Sequence, residues 1–149
     1  MKRIISFFMV FMLLFTSTAF ASEVTAADDQ SEQDVITETV VVNPRYTYLD
    51  YMKVGMEIDN NGKITYGGSA RAINRNVRIT LYLQRSTNGL FWDDLEATVK
   101  TAYDNVAADG WRNVTPGNYY YRVKIVTDVM DSNRNIIETA TGYSSEEQY

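Results

Sequence analysis

Three carboxylates follow a tryptophan near the middle of the chain: Asp93, Asp94 and Glu96, directly after Trp92. Paired carboxylates hydrolyse glycosides when they face each other across a cleft at roughly 5 to 10 Å. The sequence around them predicts a small β-domain without long insertions, which leaves little chain to build a cleft. We therefore interpret the three carboxylates as the solvated end of a hairpin.

Composition excludes most other catalytic chemistry. The chain has no His and no Cys, so His bases, His-ligated metals and thiol nucleophiles are ruled out. The stretch 131–135 (DSNRN) resembles the start of a calcium loop, but Ile136 stands where the loop needs Gly and Gly142 where it needs a bidentate acid. We interpret it as a hairpin turn. The sequence predicts no catalytic residue, no metal and no cofactor, and hence a protein that is not an enzyme.

Surface aromatic residues are the remaining candidates for a binding site, because their rings stack on sugars or anchor protein interfaces. An alternative for the two tryptophans is that each closes one end of the core. The candidate ligand contacts are Trp92, Tyr120, Trp111 and Tyr82, with Tyr103 as a further surface aromatic.

The elements that position these residues are predicted to be strands. After Pro44, apolar residues recur at every second position and turn signals recur at short intervals. Turns are expected at DNNG (59–62), STNG (86–89), ADGW, TPG and DSNRN. The segment 101–117 is expected to be irregular. The predicted strands are 46–58, 63–72, 77–86, 90–100, a tyrosine-rich strand through 119–130, and a last strand from 136 to 143.

The tyrosine triplet at 119–121 illustrates the parity argument. Successive side chains of a strand point to opposite faces, so three consecutive rings cannot share one side. Tyr119 and Tyr121 are expected in the core with Val123 and Ile125, and Tyr120 on the solvent side.

The N-terminal region is interpreted as export machinery. Lys2 and Arg3, the apolar run 4–15 and a small-residue site ending at Ala21 predict a secretory signal peptide over residues 1–21. Residues 22–44 carry six acidic and no basic residues and are expected to be a disordered leader before a β-domain at 45–149. We expect a secreted protein without stable membrane insertion. The nearly neutral β-domain gives no electrostatic reason to expect nucleic acid.

Two stretches resemble fibronectin type III domains. LYLQRSTNGLFWDDL (81–95) is similar to that fold's C–C′ hairpin, and VTPGNYYYRVKI (114–125) to the approach to its strand F. The resemblance implies an all-β, immunoglobulin-like antiparallel sandwich of about seven strands, in which the Tyr119 hydroxyl bonds the backbone just upstream. The chain from about Pro44 onward also resembles a family of small exported proteins of Gram-positive bacteria of unknown function.

These observations predict a secreted, non-enzymatic domain that recognises a protein or a cell-envelope component. Two alternatives stay open: a carbohydrate-binding module that uses Trp92 and Tyr120, and a purely structural secreted subunit.

Overall fold

The computed structural model describes residues 39–41 and 46–149. The expected signal peptide and most of the expected leader lie outside these residues. The described part is all-β and none of it is helical, so it contains no helix that could cross a membrane. Its strands are β1 (Thr39–Val41), β2 (Tyr51–Ile58), β3 (Lys63–Ser86), β4 (Asp93–Asn113), β5 (Tyr120–Met130), β6 (Ile136–Tyr143) and β7 (Glu147–Gln148).

The strands form one curled antiparallel sheet around a long β3–β4 hairpin. On one side β3 pairs with β4 along nearly its whole length. On its other side β3 pairs first with β2, from Ile64 to Arg71, and then with β5, from Asn76 to Ser86. β6 and β7 extend the sheet beyond β5, and β1 pairs with β2. The curl places β2 against β5 and β6 across a shared core.

A change of parity in β3 produces the curl. In its first half Ile64, Tyr66 and Ala70 are buried, and in its second half Val77 and Ile79 are buried. Even positions therefore point inward before the register shift between Arg71 and Asn76, and odd positions after it. Extra residues in one strand bend the ladder and increase its twist. The bend lets one continuous strand serve both halves of the sheet.

Several sequence predictions about strand limits are wrong, the first of them because of this change of parity. The segments 63–72 and 77–86 are one strand, not two, and 101–113 is strand β4, not an irregular segment. The ADGW motif is not a turn, because Trp111 pairs with Thr65 and Gly110 with Tyr66. The first strand begins at Tyr51 instead of Tyr46. Thr39–Val41, within the segment expected to be disordered, form β1.

Other predictions are confirmed. Val77, Ile79, Leu81 and Leu83 are fully buried. Tyr121 is 1% exposed and shares its face with the buried Val123 and Ile125, whereas Tyr120 lies on the opposite face. Tyr119 packs half-buried against the core, just before β5.

The Tyr119 hydroxyl forms no hydrogen bond with any residue of 39–41 or 46–149, so the bond implied by the fibronectin resemblance is not found there.

The two predicted β-turns that begin with Asp are built alike. The Asp59 carboxylate accepts hydrogen bonds from the N–H groups of Asn61 and Lys63, and the Asp131 carboxylate accepts the equivalent bonds from Asn133 and Asn135. The backbone also closes the same way, because the fourth residue of each turn donates to the carbonyl of its Asp. DNNG and DSNRN are thus the same turn, used at two ends of the sheet.

Candidate functional site: the β3–β4 loop and the face beside it

The loop between β3 and β4, residues 87–92, is held by a small hydrogen-bond network. The Ser86 hydroxyl accepts the N–H groups of Asn88 and Gly89 at 3.2 and 2.9 Å. The Asn88 side-chain carbonyl accepts the N–H groups of Leu90 and Phe91 at 2.9 and 3.1 Å, and also the Ser86 hydroxyl. Gly89 has φ +71°, a conformation that glycine adopts without steric cost. The loop is therefore fixed by its own sequence.

This network holds two large apolar side chains in water. Leu90 is 76% and Phe91 79% exposed, the two highest values among the large hydrophobic residues of the described chain. Trp92 follows them in the chain and is half-buried, and its indole N–H donates to the Gly89 carbonyl at 3.2 Å. We call Leu90 and Phe91 the loop tip.

Cations cover the aromatic residues beside the loop. The Arg122 guanidinium lies 4.0 Å from the centre of the Trp92 ring and 4.3 Å from that of Tyr143. The Lys124 ammonium lies 4.2 Å from the Tyr82 ring centre. Contacts of this kind contribute about 0.5–1 kcal/mol each at exposed sites. Rings and cations therefore alternate in a row along the outer face of β3, β5 and β6.

The predicted ligand contacts divide between two regions. Trp92 and Tyr82 belong to the row of rings and cations, and Tyr120 stands two residues before Arg122 on the same face of β5. Trp111 lies in the other half of the sheet, opposite Thr65, and is 64% exposed. The alternative in which it closes an end of the core is therefore wrong.

The carboxylates that the sequence offers as a possible catalytic pair do not face each other. Asp94 accepts a 2.6 Å hydrogen bond from the Gln84 side chain on the outer face. Glu96 accepts one from the buried Tyr66 hydroxyl at 2.7 Å and pairs with Arg112 at 3.3 Å. Their partners lie on opposite faces of β4, so Asp94 and Glu96 do not form the pair that glycoside hydrolysis requires.

No protein-family model, no curated protein and no solved structure matches this chain. Function must therefore be argued from the chain's own geometry.

The calcium-like motif is a hydrogen-bonded turn. The hydrogen bond from the Asn135 side chain, with those from the backbone N–H groups of Asn135 and Asn133, lowers the pKa of Asp131 below its usual range. Within residues 39–41 and 46–149, no three acidic residues are grouped so that they could hold a metal ion.

The sequence reasoning missed the loop tip. The signal was available: two large apolar residues stand between a predicted turn and Trp92, where a hairpin end should be polar. It also missed a pocket of about 490 Å³ at the bend of the sheet, lined in part by Arg78, Tyr103 and Arg134. Only Tyr103 was considered as a surface aromatic. The sequence holds no local signal for this pocket, because these residues are far apart along the chain.

Proposed function

We propose that this protein is an exported, non-enzymatic recognition module that binds a protein of the cell envelope through its loop tip. One observation carries the proposal: Leu90 and Phe91 are 76% and 79% exposed on a loop that its own hydrogen bonds hold in place. Exposed apolar residues that are clustered and ordered mark interaction sites.

Energetics supports an anchoring role for the tip. Burying a Leu or Phe side chain contributes roughly 1.5–3 kcal/mol, and binding hot spots are small clusters of such anchors. A loop that is already ordered loses little conformational entropy on binding. The Ser86 and Asn88 hydrogen bonds therefore favour association by fixing the tip beforehand.

Charges near the tip indicate the kind of partner. Asp93 is exposed at the base of the loop and forms no ion pair with a described residue, whereas the Glu146 carboxylate near Gly89 pairs with Arg122 at 3.6 Å. The Asp93 carboxylate would repel anionic lipid head groups. It fits an apolar pocket with a basic rim, which favours a protein partner.

Export and fold are parts of the same proposal. Lys2, Arg3 and the apolar run after them support export, in line with the resemblance to small secreted proteins of Gram-positive bacteria. The curled sheet, in which β2 lies against β5 and β6, supports an immunoglobulin-like sandwich. In this fold β3 and β4 each run without interruption through both halves of the sheet, whereas each strand of an ordinary sandwich belongs to one of its two layers.

The carbohydrate alternative that uses Trp92 and Tyr120 is less well supported. Arg122 occupies a face of the Trp92 ring and Lys124 a face of Tyr82, which reduces the ring surface open to a sugar. The purely structural alternative does not explain why a loop is ordered around two exposed apolar residues.

The test compares envelope cross-linking by two matched variants. A photoreactive phenylalanine at position 91 is introduced into the full chain in the producing cells, with and without Leu90→Ser. The control is the double variant Ile136→Ser/Ile137→Ser with the same photoreactive group at position 91, because Ile136 and Ile137 are also adjacent and exposed (51% and 41%).

We expect one discrete cross-linked protein that is lost with Leu90→Ser and kept in the Ile136/Ile137 variant. Cross-linking that is equally strong with Leu90→Ser, or only to lipid, would overturn the proposal.

A further inference from the structure

We propose that the pocket at the bend of the sheet binds a sugar that carries one anionic group, a carboxylate or a phosphate. The pocket has a volume of about 490 Å³, within the range of roughly 300–1,000 Å³ that is usual for small-molecule sites. The residues used in the argument are Asn76, Arg78, Thr101, Tyr103, Met130 and Arg134.

Strand register brings these residues together. Asn76 of β3 pairs with Tyr103 of β4 on one side and with Met130 of β5 on the other. One step further along the same face, Arg78 lies opposite Thr101. Arg134 arrives from the turn between β5 and β6. Three strands and one turn therefore converge at the place where β3 changes parity.

Charge in the pocket favours a single anion. The Arg78 guanidinium binds one oxygen of Asp128 through Nε at 3.1 Å and Nη2 at 2.6 Å, and the other oxygen accepts the Thr139 hydroxyl. Arg78 is thus neutralised and fixed in position. The Arg134 side chain forms no hydrogen bond, ion pair or ring contact with any residue of 39–41 or 46–149. The pocket therefore presents about one unbalanced positive charge.

The charged residue Arg134 has a strained backbone conformation. Arg134 has φ 66°, a left-handed conformation that costs a residue with a side chain about 1–2 kcal/mol. The same turn at 59–62 has Gly62 with φ 77° in the equivalent position. Glycine would make the second turn without strain. An arginine there is consistent with a role for its side chain in binding.

The rest of the lining suits a sugar ring. Tyr103 is 63% exposed and offers a ring face, and Met130, 6% exposed, closes the pocket with apolar surface. The Asn76 amide both donates and accepts hydrogen bonds, as does the Thr101 hydroxyl, which matches the hydroxyl groups of a sugar. The pocket is lined by both a guanidinium and an aromatic ring, which offer an anionic sugar a charged hydrogen-bond donor and a stacking surface.

This pocket is independent of the loop tip. β3 runs without interruption from Asn76 at the pocket to Ser86 at the loop, about 33 Å at roughly 3.3 Å per residue. Loss of one activity therefore need not affect the other, and the two proposals can fail separately.

The test is calorimetric titration of the full chain with glucuronate, glucose 6-phosphate, glucose and inorganic phosphate. Arg134→Gln keeps the turn and its left-handed residue but removes the charge, and Tyr103→Ala removes the ring. Lys63→Gln removes a cation from the β2–β3 hairpin instead and serves as the matched control.

We expect saturable binding of at least one anionic sugar, about tenfold or more tighter than glucose, since a charge-assisted hydrogen bond is at stake. Arg134→Gln and Tyr103→Ala should each weaken that binding about tenfold, and Lys63→Gln should not change it. The proposal is overturned if neither anionic sugar binds, if Arg134→Gln binds as tightly as the natural chain, or if inorganic phosphate alone binds as tightly as both sugars.

Discussion

The Tyr66 hydroxyl donates a 2.7 Å hydrogen bond to Glu96, thirty residues further along the chain and in the other half of the sheet. Tyr66 is 1% exposed, and its ring lies over Gly110, where a Cβ would come within 2.5 Å of it. Glycine at 110, in the second half of β4, thus makes room for the ring, whose hydroxyl reaches the Glu96 carboxylate in the first half of β4. This contact ties the two halves of the long hairpin together.

Tyr66→Phe should therefore lower the free energy of unfolding by about 1–2 kcal/mol, because it removes one hydrogen bond to a charged group. Chemical denaturation measures the change. Tyr82→Phe is the control, because the Tyr82 hydroxyl forms no hydrogen bond with a described residue, and it should stay close to the natural chain. Equal stability of the two variants would contradict the role given to the bond.

The stability of the protein at alkaline pH is a second test of the role of Tyr66. Burial raises the pKa of Tyr66 above its ordinary value of 10.0. A raised pKa stabilises the folded protein below the unfolded value, and this contribution is lost as pH rises through the folded pKa. Stability should fall above about pH 10, and less steeply in Tyr66→Phe than in the natural chain.

The turn at Asp131 predicts a pH dependence of the opposite sign. Its pKa lies below the ordinary 3.8 because of hydrogen bonds from Asn135 and Asn133. A lowered pKa stabilises the fold above the unfolded value, and that contribution is lost as pH falls through the folded pKa. Asp131→Ala should be clearly less stable near neutral pH, and the difference should shrink below about pH 4. Asp109→Ala, which removes a carboxylate without a partner in the described chain, should stay close to the natural protein throughout.

Two aromatic truncations should differ sharply. Tyr121 is 1% exposed in the core, so Tyr121→Ala should cost about 3–5 kcal/mol, enough to unfold much of a domain with ordinary stability. Trp111 is 64% exposed, so Trp111→Ala should change stability by about 0.5 kcal/mol or less. Thermal melting of the two variants measures the contrast. A large loss in Trp111→Ala would show that the indole packs where the structure leaves it open.

The facing of Tyr121 was predictable from the sequence because a strand alternates strictly within one register. The same rule correctly placed Val77 to Leu83. It failed where the register changes. The shift between Arg71 and Asn76 reverses the parity, so one strand reads as two segments joined by a loop. β4 was missed beyond 100 because its residues at the sheet's border are mostly exposed, which weakens the alternation that marks a strand.

The candidate sites were harder to predict than the fold. The loop tip depends on which side of a turn faces water, and the pocket depends on pairing between Asn76, Tyr103 and Met130, which lie tens of residues apart. Turn chemistry, by contrast, was predictable. Asp59 and Asp131 act locally, each through N–H groups two and four residues ahead.

Arg134→Gly should stabilise the protein and abolish its binding of the anionic sugar probe. The substitution removes the strain of φ 66°, and we expect a gain of about 0.5–1 kcal/mol after the added freedom of the unfolded chain is counted. Denaturation and calorimetry on the same sample give both quantities. A variant that is less stable than the natural chain would contradict the strain assigned to Arg134.

Lys100 should keep the border strand β4 from pairing with a second copy of the chain. In the described part β4 pairs only with β3, which leaves one row of its backbone groups open. Lys100 lies opposite the buried Ile79, so its side chain starts on the inward side of β4, yet it is exposed at the border. A second strand docked there would cover the ammonium, and burying an unpaired charge is costly.

Lys100→Val should therefore self-associate with rising concentration in sedimentation velocity experiments. Thr101→Val adds similar apolar surface one residue further on but keeps the lysine, and it should sediment like the natural chain. If Lys100→Val also sediments like the natural chain, the lysine is not what protects this border.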